Sequence, residues 1–111
     1  MPFIDVKSLS LKEPRAGWQG RFFHSAEMTF GYYSVTAGSS IHEHAHENDE
    51  VWNVIEGELA ITVAGQAKRL GPGEVAVVPP NALHSVTAIT NARAIVVDHP
   101  RRDSIGGVGL V

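Results

Sequence analysis

The stretch GSSIHEHAHENDEVWNVIEG, residues 38–57, decides how this chain folds and where its chemistry lies. His42, His44 and His46 stand at alternate positions, and alternate side chains of an extended strand lie on one face. The polar residues ENDE then predict a turn, and Glu50 begins an apolar run that predicts the next strand. Antiparallel pairing of these two strands places Glu50 beside the three imidazoles.

This combination of side chains is typical of a metal site. Imidazole nitrogens and one carboxylate are the donors that a borderline divalent ion prefers. The chain has no cysteine, so only nitrogen and oxygen donors are available. His84 is the best candidate for a further ligand, because it begins a predicted strand directly after the turn PPNAL. The alternative is a solvated polar strand edge without a metal.

Length and composition are those of one globular domain, residues 1–111. Hydrophobic residues make up 43% and charged residues 19% of the chain. The formal net charge of -3 argues against nucleic acid as a partner, because phosphate binding needs a concentrated basic face. No apolar segment is long enough to span a bilayer, and the N-terminus lacks the layout of a signal peptide. We therefore expect no membrane partner and a cytoplasmic location.

The rest of the sequence predicts an all-β fold. From Trp18 onward, short β-prone runs alternate with turns rich in glycine and proline, and no segment keeps a helical period. Many short strands at near-regular spacing predict an antiparallel sandwich or barrel. Residues 1–17 form a mixed N-terminal arm, and residues 101–111, with three glycines, predict a flexible tail.

Two stretches of the chain resemble the two motifs of the cupin superfamily. The first motif has Gly, five residues, His-x-His, three or four residues, Glu, six residues and Gly; residues 38–57 match it with Gly38, His44, His46, Glu50 and Gly57. The second motif, residues 73–88, is matched by Gly73, Pro79 and His84, with Asn81 in place of Gly and Ala88 in place of Asn. Asparagine tolerates a positive φ better than most residues, so Asn81 can make the same turn.

The resemblance implies a small single-domain cupin, a jelly-roll β-barrel of antiparallel strands. It also implies one divalent transition metal ion (Fe, Mn, Ni, Zn, Co or Cu) bound by His44, His46, Glu50 and His84. Such a site leaves coordination positions open for water, substrate or dioxygen. Small cupins are usually dimers, and open sheet edges favour pairing, so we expect a homodimer.

The resemblance further implies an enzyme that acts on a small polar or carboxylated organic molecule. In one version the metal acts as a Lewis acid in an isomerase or lyase reaction, while a side chain moves the proton. In the other, iron supports a dioxygenase reaction. The alternative is a non-catalytic cupin that binds or senses a small molecule through its metal.

Within the superfamily, the chain is most similar to small cupins of the pectin-degradation group, which open unsaturated uronates to a linear keto form. The ending HPRRD resembles the Pro-Arg-x-Asp tail of that group. Arg101 is therefore expected either to bind a substrate carboxylate or to be a solvated loop arginine. The group carries an Asp for proton transfer six residues earlier, where this chain has Ile95, and Asp98 is the nearest acidic candidate.

Strand parity adds three candidates for the pocket. His42 projects on the face of the other two motif histidines, where it contacts the ligands or a substrate, unless it is a surface residue at a strand end. Trp52 shares the face of Glu50, and Tyr32 lies on a strand expected to form a pocket wall. Trp52 and Tyr32 are therefore candidates for substrate contact.

Overall fold

The computed structural model describes residues 2–111 and consists of short antiparallel strands. A 3-10 turn at Val6–Ser8 precedes them, and no helix in the described part of the chain could cross a membrane. The strands are β1 (Lys12–Arg15), β2 (Trp18–His24), β3 (Thr29–Val35), β4 (Ser40–His44), β5 (Asp49–Glu56), β6 (Leu59–Val63), β7 (Gln66–Leu70), β8 (Val75–Val78), β9 (His84–Ala88), β10 (Ala92–His99), β11 (Ser104–Ile105) and β12 (Val108–Gly109).

Two sheets form the body of the molecule. One has six strands in the order β1-β2-β3-β10-β5-β8, and the other has four in the order β4-β9-β6-β7. Along β3 and β10 every second residue is buried, so one face of the larger sheet covers the core and the other faces outward. The prediction of an all-β jelly roll of antiparallel strands is confirmed.

The core is built around three aromatic side chains. Trp18 meets Tyr33 and Trp52 edge-on, with ring centroids 6.0 and 5.7 Å apart. The inward residues of β10 beside these rings are smaller, since Ala94 pairs with Tyr33 and Val96 pairs with Trp52. Large and small side chains thus alternate across the sheet, which lets the rings interdigitate at the density of a protein interior.

The C-terminal residues are folded, which corrects the prediction of a flexible tail. Strands β11 and β12 form a hairpin, and Ile105 and Leu110 are buried. The hairpin packs closely on β1, since a Cβ added at Gly106 meets the carbonyl oxygen of Pro14 at 2.7 Å. The glycines allow the tight turn, and the two apolar side chains supply the burial that fixes it.

Candidate metal centre

The four motif residues are neighbours in space. His44 ends β4 directly opposite His84, which begins β9 of the same sheet. His46 lies in the loop after β4, and Glu50 lies in β5 of the larger sheet. One nitrogen each of His44, His46 and His84 lies within 4.8 Å of the others. The group therefore spans the space between the two sheets. The expectation that β4 and β5 pair with each other was wrong, because β4 pairs with β9 and β5 pairs with β10 and β8.

A turn of the second motif is hydrogen-bonded to the loop that carries His46 of the first motif. Asn81 has a φ of 65°, which confirms the expectation that it makes the turn of the missing glycine. Its backbone N–H donates a 2.7 Å hydrogen bond to the carbonyl oxygen of His46. The turn that leads into His84 is thus tied to the loop that carries His46. This bond sets the spacing between the two histidines.

All three imidazoles are oriented in the same way. Nδ1 of His44 lies 2.8 Å from the carbonyl oxygen of His42, that of His46 lies 3.1 Å from Asn48 O, and that of His84 lies 2.8 Å from Ala82 O. A carbonyl oxygen only accepts, so Nδ1 carries the hydrogen and Nε2 keeps its lone pair. Burial lowers the pKa of His44, which favours the neutral form that binds metals.

Glu50 is 3% exposed and faces two of these imidazoles. Its Oε2 lies 3.4 Å from Nε2 of His46, and its Oε1 lies 3.5 Å from Nε2 of His84. Burial disfavours the Glu50 carboxylate, but the neighbouring side chains of His46, His84 and Asp98 favour it more strongly and hold the pKa of Glu50 well below its usual range. The carboxylate is therefore the form present at neutral pH.

The residues fit a divalent ion. Nε2 of His46 and Nε2 of His84 are buried and have no hydrogen-bond partner among the described residues. A neutral imidazole nitrogen and a carboxylate oxygen both present lone pairs, so they repel unless a proton or a cation lies between them. Three such nitrogens and one carboxylate are the donors that a divalent transition metal prefers.

The side chain of His42 is exposed and is not among the converging nitrogens, although its ring centroid lies 5.7 Å from that of His44, which corrects the parity argument. Ile41 pairs with Val86 and His44 pairs with His84, so three steps on β4 oppose two on β9. This bulge resets the alternation, and Ile41 and His44 both face inward while His42 is exposed. His42 contributes its carbonyl oxygen, which accepts from His44, rather than its ring.

Arg101 is also outside the site. Its guanidinium is exposed and pairs with Asp103 at 3.8 Å. The neighbouring Arg102 turns inward instead, and its Nη1 lies 3.4 Å from Oε2 of Glu50. Of the two roles expected for Arg101, the structure agrees with the solvated loop arginine, and the arginine that faces the cluster is the next residue, Arg102.

Two buried side chains explain why Arg102 faces the cluster and Arg101 does not. Asn48 donates a 2.6 Å hydrogen bond to the carbonyl oxygen of Pro100. The hydroxyl of Thr29 accepts from the backbone N–H of Arg102 at 2.9 Å and lies 3.2 Å from the carbonyl oxygen of the same residue. These bonds fix the backbone on both sides of Arg101, and the direction of each arginine follows from them.

Asp98 lies inside the site, whereas Ile95 faces outward. The inward positions of β10 are the even-numbered ones, and Asp98 pairs in register with Glu50 on β5. Asp98 is 3% exposed, and its Oδ1 has no partner among the described residues. Burial, a hydrogen bond with Glu50 and the repulsion of its charge raise the pKa of Asp98 to about 9.

Of the two aromatic candidates, Trp52 faces the core and Tyr32 faces outward. Trp52 is buried, and its indole N–H donates a 2.7 Å hydrogen bond to Glu50. Tyr32 lies on the outer face of the larger sheet, beside Arg21 and Ile95. Its placement in the pocket was wrong, because Tyr33 is the inward residue at this point of β3. Burial, followed by the charges of Glu50 and Asp98, raises the pKa of Tyr33.

The interior cavity beside the cluster is small. Its volume is about 20 Å³, enough for one water molecule or an ion. It is lined by Arg15, Tyr33, Ile41, His44, Glu50, Trp52, Val96, Asp98, Arg102 and Ile105. No pattern in the sequence indicates Arg15, Arg102 or Ile105, since their positions depend on contacts between the two ends of the chain.

Comparisons with known proteins define the class. The family model for the cupin domain matches residues 31–100. An uncharacterized protein of Streptomyces coelicolor is 32% identical over 81 residues, which are 72% of this chain and 77% of that protein. The chain therefore belongs to the cupin family, and it is a small cupin.

Solved structures of other cupins share the fold. KdgF from Halomonas sp. has a TM-score of 0.86 at 24% identity, with 93% of this chain and 96% of that chain covered. An RmlC-like cupin from Shewanella frigidimarina has a TM-score of 0.87 at 24% identity, over 93% and 94%. A single-residue variant of oxalate decarboxylase from Bacillus subtilis has a TM-score of 0.78 at 16% identity, over 87% of this chain and 29% of that chain.

Proposed function

We propose that this cupin is a metal-dependent enzyme that acts on a small carboxylated organic molecule by isomerase- or lyase-type chemistry. The observation that carries the proposal is the common orientation of His44, His46 and His84, each with Nδ1 bonded to a backbone carbonyl and Nε2 left free. These nitrogens and Glu50 hold the ion. A divalent ion bound there supplies Lewis acidity toward a carbonyl or hydroxyl oxygen.

Two further side chains supply what this chemistry needs from the protein. Asp98 has a buried Oδ1 without a partner among the described residues, and its raised pKa keeps the carboxyl protonated at neutral pH, so it can give a proton to the substrate and take one back. The guanidinium of Arg102 lies beside Glu50 and favours an anionic substrate. A carboxyl for proton transfer and a cation for binding are the usual partners of a Lewis acid in this class of reaction.

We propose the substrate class from the resemblance of this chain to the pectin-degradation group. The motif strand and the HPRRD ending resemble those of the pectin-degradation group, which makes unsaturated uronates the first compounds to screen. Ile95 stands where that group has an Asp, and the proton-transfer candidate here is Asp98. A change in the position of this group changes which substrate carbon can react. Other small carboxylic acids therefore belong in the same screen.

Elemental analysis of the purified protein tests the metal site. We expect the wild type to retain one divalent ion per chain, and His46→Ala and His84→Ala to retain it at least tenfold more weakly. His42→Ala is the matched control, because it removes an exposed ring and leaves in place the carbonyl that orients His44. Equal metal content in His84→Ala and the wild type contradicts the assignment.

Turnover by the metal-loaded protein tests the reaction. We expect an organic acid to be converted without oxygen uptake, and Asp98→Asn to lose turnover while it keeps its metal. Turnover coupled to oxygen uptake would instead indicate the dioxygenase. Tight binding of an acid without turnover would indicate the binding or sensing module. Full activity of Asp98→Asn would exclude Asp98 from proton transfer.

A further inference from the structure

Arg15 places a second guanidinium at the cavity of the metal centre. It is the last residue of β1 and lines the cavity together with His44 and Arg102. Its side chain is half-buried. Of the six arginines, Arg69, Arg93, Arg101 and Arg102 form ion pairs with carboxylates of the described residues. Arg15 forms none in that part of the chain, although burial without a counterion is costly for a charge.

The backbone of Arg15 is held from two sides. Arg15 pairs with Trp18 across the turn between β1 and β2, and Trp18 is fully buried. On the other side, Gly106 of the C-terminal hairpin packs against the carbonyl oxygen of Pro14, so closely that an added Cβ would lie 2.7 Å from it. The base of the Arg15 side chain is therefore fixed before any ligand arrives. A preorganised cation loses little freedom when it binds an anion.

The charges around the cavity favour a bound anion. The positive charge of Arg15 lies at the cluster, since Arg15 and His44 line the same small cavity. Glu50 is the carboxylate of the ligand set, and Arg102 already lies beside it. Once a divalent ion is bound, the positive charge of the ion, Arg15 and Arg102 exceeds the negative charge of Glu50. A small carboxylic acid restores the balance.

We infer that Arg15 is a substrate-binding residue, which pairs with a carboxylate of the organic acid that the metal centre acts on. The inference rests on the proposed function and narrows it to acids with a carboxylate at the mouth of the cavity. The enclosed volume of about 20 Å³ holds little more than an ion, so the acid lies at the solvent side, where Arg15 and His44 are partly exposed. Two arginines from opposite ends of the sequence, Arg15 and Arg102, then lie close to the acid.

Calorimetric titration of the metal-loaded protein with malonate tests this role, with neutral malonamide as the reference ligand. We expect Arg15→Gln to weaken malonate binding at least tenfold, Arg15→Lys to recover part of the affinity, and malonamide to bind poorly to every form. Arg21→Gln is the control, because Arg21 lies on the outer face and donates to the carbonyl oxygen of Leu9. It is expected to bind malonate as the wild type does.

Metal content and thermal unfolding are measured on the same samples. Equal malonate affinity of folded, metal-loaded Arg15→Gln and wild type overturns the inference and leaves the proposed function standing. Malonate binding no tighter than that of malonamide in the wild type overturns it as well. Failure of the wild type to hold a metal overturns the proposed function, and the inference falls with it.

Discussion

The indole N–H of Trp52 donates a hydrogen bond of 2.7 Å to Oε1 of Glu50, and both side chains are 3% exposed. Trp52→Phe removes this donor and keeps an aromatic ring in the core. We expect the metal affinity to fall by about tenfold, because a group that positions a ligand typically matters by that factor. Competition with a fluorescent chelator measures the change.

Trp18 provides the control for this experiment. It is fully buried in the same aromatic cluster, but its Nε1 has no hydrogen-bond partner among the described residues. Trp18→Phe is expected to lower the free energy of unfolding through lost packing and to leave the metal affinity unchanged. If both variants lose the same affinity, packing rather than the hydrogen bond to Glu50 is responsible.

The hydroxyl of Thr29 controls the segment that carries Arg102. Thr29→Val keeps the shape of the side chain but leaves the N–H of Arg102 without its acceptor. We expect the free energy of unfolding to fall by about 1–3 kcal/mol and amide exchange at Arg102 to become faster. Urea unfolding and hydrogen exchange measure these effects.

Thr87→Val is the comparison for Thr29→Val. The hydroxyl of Thr87 contacts that of Ser40 at 3.1 Å near the surface, where water can replace it. We expect its loss to cost less than about 0.5 kcal/mol. An equally small cost for Thr29→Val would show that the Thr29 hydroxyl does not hold the segment.

Two glycines of the cupin motifs separate backbone strain from steric clash. Gly57 has a φ of 76°, and an added Cβ lies 2.2 Å from the carbonyl oxygen of Asn91. Gly73 has a φ of 84° but nothing within 4 Å of the added atom. We expect Gly73→Ala to cost about 1–2 kcal/mol and Gly57→Ala to cost clearly more. Thermal unfolding measures the stability of the two variants. Equal losses of stability would contradict the steric argument.

The outer face of the larger sheet carries an apolar row that crosses five strands. Val77, Val51, Val97, Phe30 and Phe23 lie side by side in register. Val77 is 59% exposed. The homodimer expected from the sequence remains a prediction, and we expect the second copy to cover this row, because one apolar face presented twice is self-complementary.

Light scattering tests the dimer. Val77→Glu is expected to convert a dimeric wild type to a monomer, since dimerisation would bury the new charge. Leu83, which is 53% exposed and lies outside the row, provides the control Leu83→Glu, which should stay dimeric. A monomeric wild type, or a Val77→Glu variant that remains dimeric, contradicts the prediction.

The sequence predicts well those features that depend on regular strands. The spacing of the motif in residues 38–57 predicts that His44, His46 and Glu50 approach one another, and the PPNAL turn indicates His84, although Glu50 meets the histidines across the two sheets rather than by strand pairing. Turn chemistry predicts the positive φ of Asn81. These features are set by local geometry, because parity and turn type repeat wherever the same residues stand.

The wrong predictions concern residues at points where the strands are irregular or end. A single bulge in β4 leaves His42 exposed and outside the lining of the cavity. No residue type in IHEH predicts this bulge. The choice of Arg102 over Arg101 depends on hydrogen bonds from Asn48 and Thr29, which are distant in sequence. Such contacts are properties of the assembled fold, and a sequence pattern does not carry them.

The position of β10 determines when the four candidate ligands can come together during synthesis of the chain. Strand β10 lies between β3 and β5, so the larger sheet stays split until residues 92–99 have left the ribosome. Glu50 belongs to β5 of that sheet, whereas His44 and His84 belong to the other. A nascent chain that already contains both histidine motifs therefore has no fixed carboxylate to offer. We therefore expect the complete set of four ligands to form only after this strand has been translated and has joined the sheet.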